Sequence, residues 1–236
     1  MTKNTHKDHA SKQKRFPLID YTRGFAVLLM IIFHFSYDLS AFNFVHIDFQ
    51  RDLFWWIFPR VIVFFFLYAM GQSLELVHQN SIQIKKVGKR FAKIGFFALC
   101  ISTFTYFAFP KNWIYFGTLH CIALSSVLVL PFVGRPKLTA LASALMLVPL
   151  LWGFQLPWFK LGHASMDYIP LFPWIGVVFL GQFSTHLGLH RYGPNSTSLK
   201  SLLLPLELMG RHSLLIYLIH QPVLFGLVKL YHVATY

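Results

Sequence analysis

Charge is what this sequence has least of. Asp, Glu, Lys and Arg together make up 12% of its 236 residues, about half the share a soluble domain uses to cover its surface. Acid is scarcer than base: 8 Asp and Glu stand against 21 Lys and Arg, for a formal net charge of +13. Only two cysteines occur, Cys100 and Cys121, both within apolar runs. That usage excludes a disulfide framework and predicts two small buried hydrophobes. No phosphate-binding loop, dinucleotide glycine fingerprint or nucleophile elbow is present, so a soluble nucleotide-dependent enzyme or a serine hydrolase is not indicated. Histidines and cysteines show no metal-ligand spacing, and no metal is expected.

What is abundant is apolar bulk. Hydrophobic residues reach 56%, with 26 Phe, 10 Tyr and 6 Trp, and the mean hydropathy is +0.54. The chain reads as an integral membrane protein lying in a lipid bilayer. The positive charge is not spread as a nucleic-acid patch would be. Lys3, Lys7, Lys12, Lys14 and Arg15 precede the first apolar run, and Lys85, Lys86, Lys89, Arg90 and Lys93 fill one short connection. Basic residues at the ends of apolar segments are orientation signals, and a nucleic-acid partner is not expected. The long first apolar stretch, with no small-residue cleavage site after it, does not read as a removable signal peptide.

About seven segments approach the ~20 residues a helix needs to cross a bilayer. They lie near 20–44, 53–77, 91–109, 114–133, 137–155, 169–187 and 209–232. The expected fold is therefore an all-α, multi-pass transmembrane helix bundle: a basic tail over 1–17, then one membrane domain over 18–236. Basic connections at the N-terminus, 78–90, 134–137 and 188–200 alternate with near-neutral ones, which places the N-terminus in the cytoplasm and the C-terminus across the membrane. The segment "SLLLPLELMG" (201–210) is apolar but interrupted by Pro205 and Gly210, and it reads as an interfacial or broken half-helix before the last span.

Ionisable groups inside a bilayer are costly, so they mark function or a specific structural bond. Here they are Arg23, His34, Asp38, Arg60, Glu75, His120, Glu207 and His220. In "DYTRGFAVLLMIIFHFSYDL", His34 and Asp38 are four apart and share a helix face. Arg23 projects from nearly the same side, about 16 Å away along the axis. An Asp beside a His suits a general base; a polar pair that merely pins two helices is the alternative. Arg60, after Pro59, either snorkels to the interface or pairs with Asp38. His120 in "IYFGTLHCIALSSVL" is either a satisfied structural histidine or a catalytic one. His220 in "GRHSLLIYLIHQPVL" either compensates the carbonyl that Pro222 leaves open or faces a cavity.

These stretches, together with "PLFPWIGVVFLG" (170–181), resemble the bacterial branch of the heparan-alpha-glucosaminide N-acetyltransferase catalytic domain family. They stand in the family's order and span nearly the whole chain. The first and last also resemble the wider transmembrane acyltransferase superfamily. The resemblance implies acetyl-CoA as cytoplasmic donor, with no haem or metal. It implies an amino or hydroxyl group of an extracytoplasmic glycan or lipid-linked sugar as acceptor, and a bacterial inner-membrane location. On that reading Arg23 and Arg90 hold the CoA phosphates, while His34 acts as base or transient acetyl carrier, oriented by Asp38. The resemblance also implies that lysosomal relatives carry Asn where this chain has His34, with their catalytic histidine further on, in the first non-cytoplasmic loop. That leaves His46, in "FNFVHIDF", as the other candidate base. Such relatives have about ten or eleven spans, so the shorter chain here makes a homodimer a candidate arrangement. Two other classes compete: a transporter or flippase using the buried Arg, Asp and His groups for binding and proton coupling, and a haem or quinone carrier using His34, His120 and His220.

Overall fold

The computed structural model describes residues 16–154, 156–194 and 196–235, and all of its regular structure is helical. Eight α-helices follow one another: α1 (Pro17–Ala41), α2 (Leu53–His78), α3 (Ile84–Ala108), α4 (Thr118–Leu128), α5 (Pro136–Leu147, extended by a 3-10 turn Val148–Trp152), α6 (Leu171–His186), α7 (Thr197–Arg211) and α8 (Ser213–Thr235). Local chemistry sets several starts. Pro17 and Pro136 open α1 and α5, where a missing N–H costs nothing. Asp20 sits in the first turn of α1, against the positive end of its dipole. Asp52 caps α2 by accepting the Phe54 N–H.

Four helices are long and apolar enough to cross a bilayer: α1, α2, α3 and α8. Among the described residues, the other three of the seven expected spans do not form single helices of that length. The apolar runs near 114–133, 137–155 and 169–187 yield only the shorter helices α4, α5 with its 3-10 turn, and α6. Their ends are taken up by turns, because Gly117, Gly134 and Gly153 and the prolines around them interrupt helical pairing. The run near 209–232 divides at His212 into α7 and α8. Helix α7 runs on across both Pro205 and Gly210, so these residues do not break it. The third helix begins earlier than expected, taking in the basic stretch Lys85–Arg90. Of the basic tail, Lys3, Lys7, Lys12, Lys14 and Arg15 lie outside the described residues.

Four glycine contacts, two at each of two crossings, bring backbones together. A Cβ on Gly71 of α2 would lie 2.1 Å from the Val178 carbonyl oxygen, and one on Gly181 of α6 would lie 2.2 Å from that of Tyr68. A Cβ on Gly24 of α1 would meet the Leu206 carbonyl oxygen at 1.8 Å, and one on Gly210 would meet that of Asp20 at 1.9 Å. Small residues at both sites let α2 cross α6, and α1 cross α7, at backbone contact. Around the first crossing a core gathers Val63, Leu67, Met70, Leu74, Val178 and Phe179. A second cluster joins Ala26, Val27 and Met30 of α1 to Ile62 and Phe66 of α2. Cys121 is fully buried, as the sequence suggests, but Cys100 lies exposed on α3; an apolar outer face is compatible with lipid, so an apolar run does not imply burial within the protein.

Candidate functional site

His34 of α1 and His220 of α8 meet edge to face, with ring centroids 4.7 Å apart and planes at 85°. The His34 Nδ1 lies 2.9 Å from the Met30 carbonyl, one turn back on its own helix, and the His220 Nδ1 lies 2.7 Å from the Tyr217 carbonyl. A carbonyl only accepts, so in both neutral rings Nδ1 carries the proton and Nε2 holds a free lone pair. The His220 Nε2 is buried without a hydrogen-bond partner.

One turn further along α1, Asp38 is 1% exposed. Its Oδ1 accepts from the Gln221 side-chain amide at 2.9 Å, while Oδ2 is buried and unpartnered. This corrects the expected Asp38–His34 pair. Side chains on a helix lean toward its N-terminus. The His34 ring therefore folds back on Met30, away from Asp38, and Asp38 turns across to α8. The Pro222 reading is corrected as well. The carbonyl that Pro222 leaves open belongs to Leu218, four residues earlier, whereas His220 gives its N–H to Tyr217.

Toward the other end of the same helix, Arg23 bonds the Ser73 hydroxyl of α2 and stands 3.6 Å from Asp20. Asp20 is also 4.0 Å from Arg211, which bonds Glu207 within α7. The acid of this end is thus already engaged. Arg90 of α3 feels the Arg23 charge, yet among the described residues it has no hydrogen-bond or ion-pair partner. Arg23 shares Asp20 with Arg211, and Arg90 adds a second positive charge to which no ion pair is given among the described residues, so this end carries an excess of positive charge of the kind a phosphate completes.

The remaining candidates separate from this layer. Arg60 is exposed and lies over the Trp56 ring, its guanidinium carbon 3.5 Å from the centroid, while bonding the Trp56 carbonyl. It does not reach Asp38, whose partner is Gln221. His46 is exposed in the α1–α2 connection, on a shallow concavity of about 570 Å³ shared with Tyr37, Asp48 and Gln50. His120 uses both ring nitrogens: Nδ1 accepts the Gly117 N–H at 3.2 Å, and Nε2 lies 3.2 Å from the Ser102 hydroxyl, which itself donates to the Ile114 carbonyl. That arrangement ties α3 to the start of α4. No group of three or more His, Cys, Asp or Glu side chains is placed to hold a metal among the described residues.

Two features had no periodic signal in the sequence. Asp167, in the loop before α6, accepts from both the Thr118 N–H at 2.7 Å and the Thr118 hydroxyl at 3.1 Å, and Tyr217 bonds it from α8. Burial pushes its carboxyl up, partly offset by these bonds. Glu75 is 1% exposed and accepts the Gly134 N–H at 2.8 Å, with His186 Nε2 3.0 Å away. It fastens the end of α2 to the end of α6 and to the turn before α5.

Searches of curated proteins and of solved structures each return no match. One protein-family model does match, that described as heparan-alpha-glucosaminide N-acetyltransferase, catalytic, over residues 15–222. The match takes in Arg23, His34, Asp38, Arg90 and His220, and the chain belongs to the heparan-alpha-glucosaminide N-acetyltransferase catalytic family.

Proposed function

We propose that this protein is a membrane acetyltransferase that moves an acetyl group from cytoplasmic acetyl-CoA to an amino or hydroxyl group of an extracytoplasmic glycan. Family membership supports the reaction class. One observation carries the donor assignment: Arg90, without an acid of its own among the described residues, lies within reach of the Arg23 charge, a place suited to the phosphates of CoA. Arg23 and His34 are eleven residues apart on α1, about 16 Å along the axis. A donor anchored by its phosphates at Arg23 and Arg90 would direct its acyl end inward toward His34.

His34 suits a general base. Its Nδ1–H is committed to Met30, so the tautomer is set and Nε2 remains free to take the proton of the attacking group. Asp38 supports this from a distance, by clamping α8 through Gln221 rather than by touching the ring. His46 remains a candidate for receiving the acceptor at the opposite face, where it lies exposed. The location that accompanies this reading is the bacterial inner membrane, with the basic tail on the cytoplasmic side. The lipid bilayer is then the solvent for the outer helix faces.

The test is calorimetric titration of purified protein with acetyl-CoA, together with thiol release as a measure of transfer. Arg90→Ala should weaken binding by about tenfold or more, the scale of one lost charge-assisted contact. His34→Ala should keep binding and lose thiol release. Folded wild-type protein that does not bind acetyl-CoA refutes the donor assignment and returns the buried charges to a transport pathway.

A further inference from the structure

His220 is left without a role by the chemistry above, and its surroundings do not assign it a structural one. It does not fill the carbonyl opened by Pro222. Its ring bonds only backbone carbonyls of its own helix, those of Tyr217 and Ile216, which fixes a tautomer and joins α8 to no other element. Its Nε2 is buried and unpartnered in a side chain only 8% exposed. A buried polar atom left unbonded is destabilising, so its retention calls for a use. The atom belongs to a ring in contact with His34, the proposed base, in a pair whose two Nδ1–H groups are both spent on carbonyls.

We infer that His220 is a second catalytic histidine, and that His34 and His220 work as one pair carrying a single proton. This rests on the acetyl-transfer reading. With one ring neutral and its partner protonated, the pair supplies base and acid in the same turnover. The N–H or O–H bond of the attacking group breaks, and its proton goes to Nε2 of the neutral ring. The nucleophile's electron pair forms the new bond to the thioester carbon. The C–S bond breaks, and the thiolate leaves with that pair and takes the Nε2 proton of the protonated ring. Proton count on the pair is unchanged, and the two rings have exchanged roles.

Neighbouring charges are compatible with a single shared proton. Asp38, one turn from His34 on α1, faces α8 through Gln221; Tyr217 lies one turn before His220; Arg23 is about three turns away. Two imidazolium rings at this separation repel one another in a poorly solvated setting, so the pair takes up its two protons in separate, linked steps.

The experiment compares His220→Asn and His220→Gln with wild type, by thiol release from acetyl-CoA with water or methyl glucosaminide as acceptor. The Asn amide can replace the Nδ1–H bond to Tyr217 but offers nothing at Nε2. Both variants should bind acetyl-CoA as wild type does and lose about 10²- to 10⁴-fold in rate. The wild-type rate should show a bell-shaped pH profile that loses one limb in His220→Asn. Independently of turnover, ¹⁵N-histidine NMR of the resting protein should show two rings titrating in linked steps, and His220→Asn should reduce the His34 titration to one step. Variants that keep the wild-type rate and profile, or rings that titrate independently, overturn the inference. Linked titration in a protein that fails to bind acetyl-CoA would instead refute the donor assignment and leave the proton-sharing pair standing.

Discussion

Replacing Gly24 by Ala tests the contact that holds the CoA-proposed end of the bundle. The added Cβ would sit 1.8 Å from the Leu206 carbonyl oxygen. A carbon approaches such an oxygen no closer than about 3.3 Å, so α7 must retreat from α1 by roughly 1.5 Å. The obstacle is backbone rather than a flexible side chain, so it cannot be relieved by a rotamer change. Overpacking of this kind costs about 1–3 kcal/mol. The displaced helix carries Arg211, which stands 4.0 Å from Asp20, the acid that also faces Arg23. A shift above 1 Å at a positioning group can lower turnover by about 10²-fold. The assay is thermal unfolding in detergent alongside acetyl-CoA titration, with Gly95→Ala and Gly226→Ala as controls. Those two glycines lie in α3 and α8 with nothing within 4 Å of the added carbon. There Ala should be neutral or stabilising by about 0.5–1 kcal/mol, through helix propensity alone. Gly24→Ala behaving like the controls would refute a backbone-contact crossing between α1 and α7.

Other substitutions separate scaffold from chemistry. Arg90→Ala should leave the melting temperature within about 2 °C of wild type, because among the described residues the side chain has no hydrogen-bond or ion-pair partner to lose, while weakening acetyl-CoA binding; calorimetry and a melting curve on one preparation decide it. His120→Ala strands the Gly117 N–H and removes the contact to Ser102, whose hydroxyl keeps its bond to Ile114, so it should destabilise by about 1–3 kcal/mol with little change in the rate of the folded fraction. Glu75→Ala should also destabilise, by about 1–3 kcal/mol for each donor left without its acceptor, because it strands both the Gly134 N–H and the His186 ring. His190, in the connection between α6 and α7, is held below its ordinary pKa by burial and then by the Arg191 charge. Its stabilising contribution is therefore complete above about pH 6.5 and is lost as the pH falls toward its folded pKa. Hydrogen-exchange protection over 187–194, corrected for the intrinsic pH dependence of exchange, should fall on that acidification, and a His190→Phe variant should abolish the pH dependence.

The sequence by itself determined that this is a helical membrane protein of an acetyltransferase family. Few charges, many aromatics and long apolar runs leave no other way to satisfy the backbone than helices, and the separated motifs around Arg23, His34, His120 and His220 are local enough to be legible in one dimension. Residue spacing also placed Arg23 and His34 on one side of α1, because the helical period is the same in every helix. Tertiary structure alone decided which groups touch. Asp38 and His34 share a face, yet the partner of Asp38 is Gln221, 183 residues away, and that of His34 is the ring of His220. Helix ends were equally illegible: apolar residues near 114–133 and 137–155 fit either a full span or a short helix with turns, and only packing around Gly117, Gly134 and Gly153 distinguishes them. Periodicity reports the face a residue occupies, whereas the direction a side chain takes from that face, and the partner it finds, depend on the crossing of helices far apart in the chain.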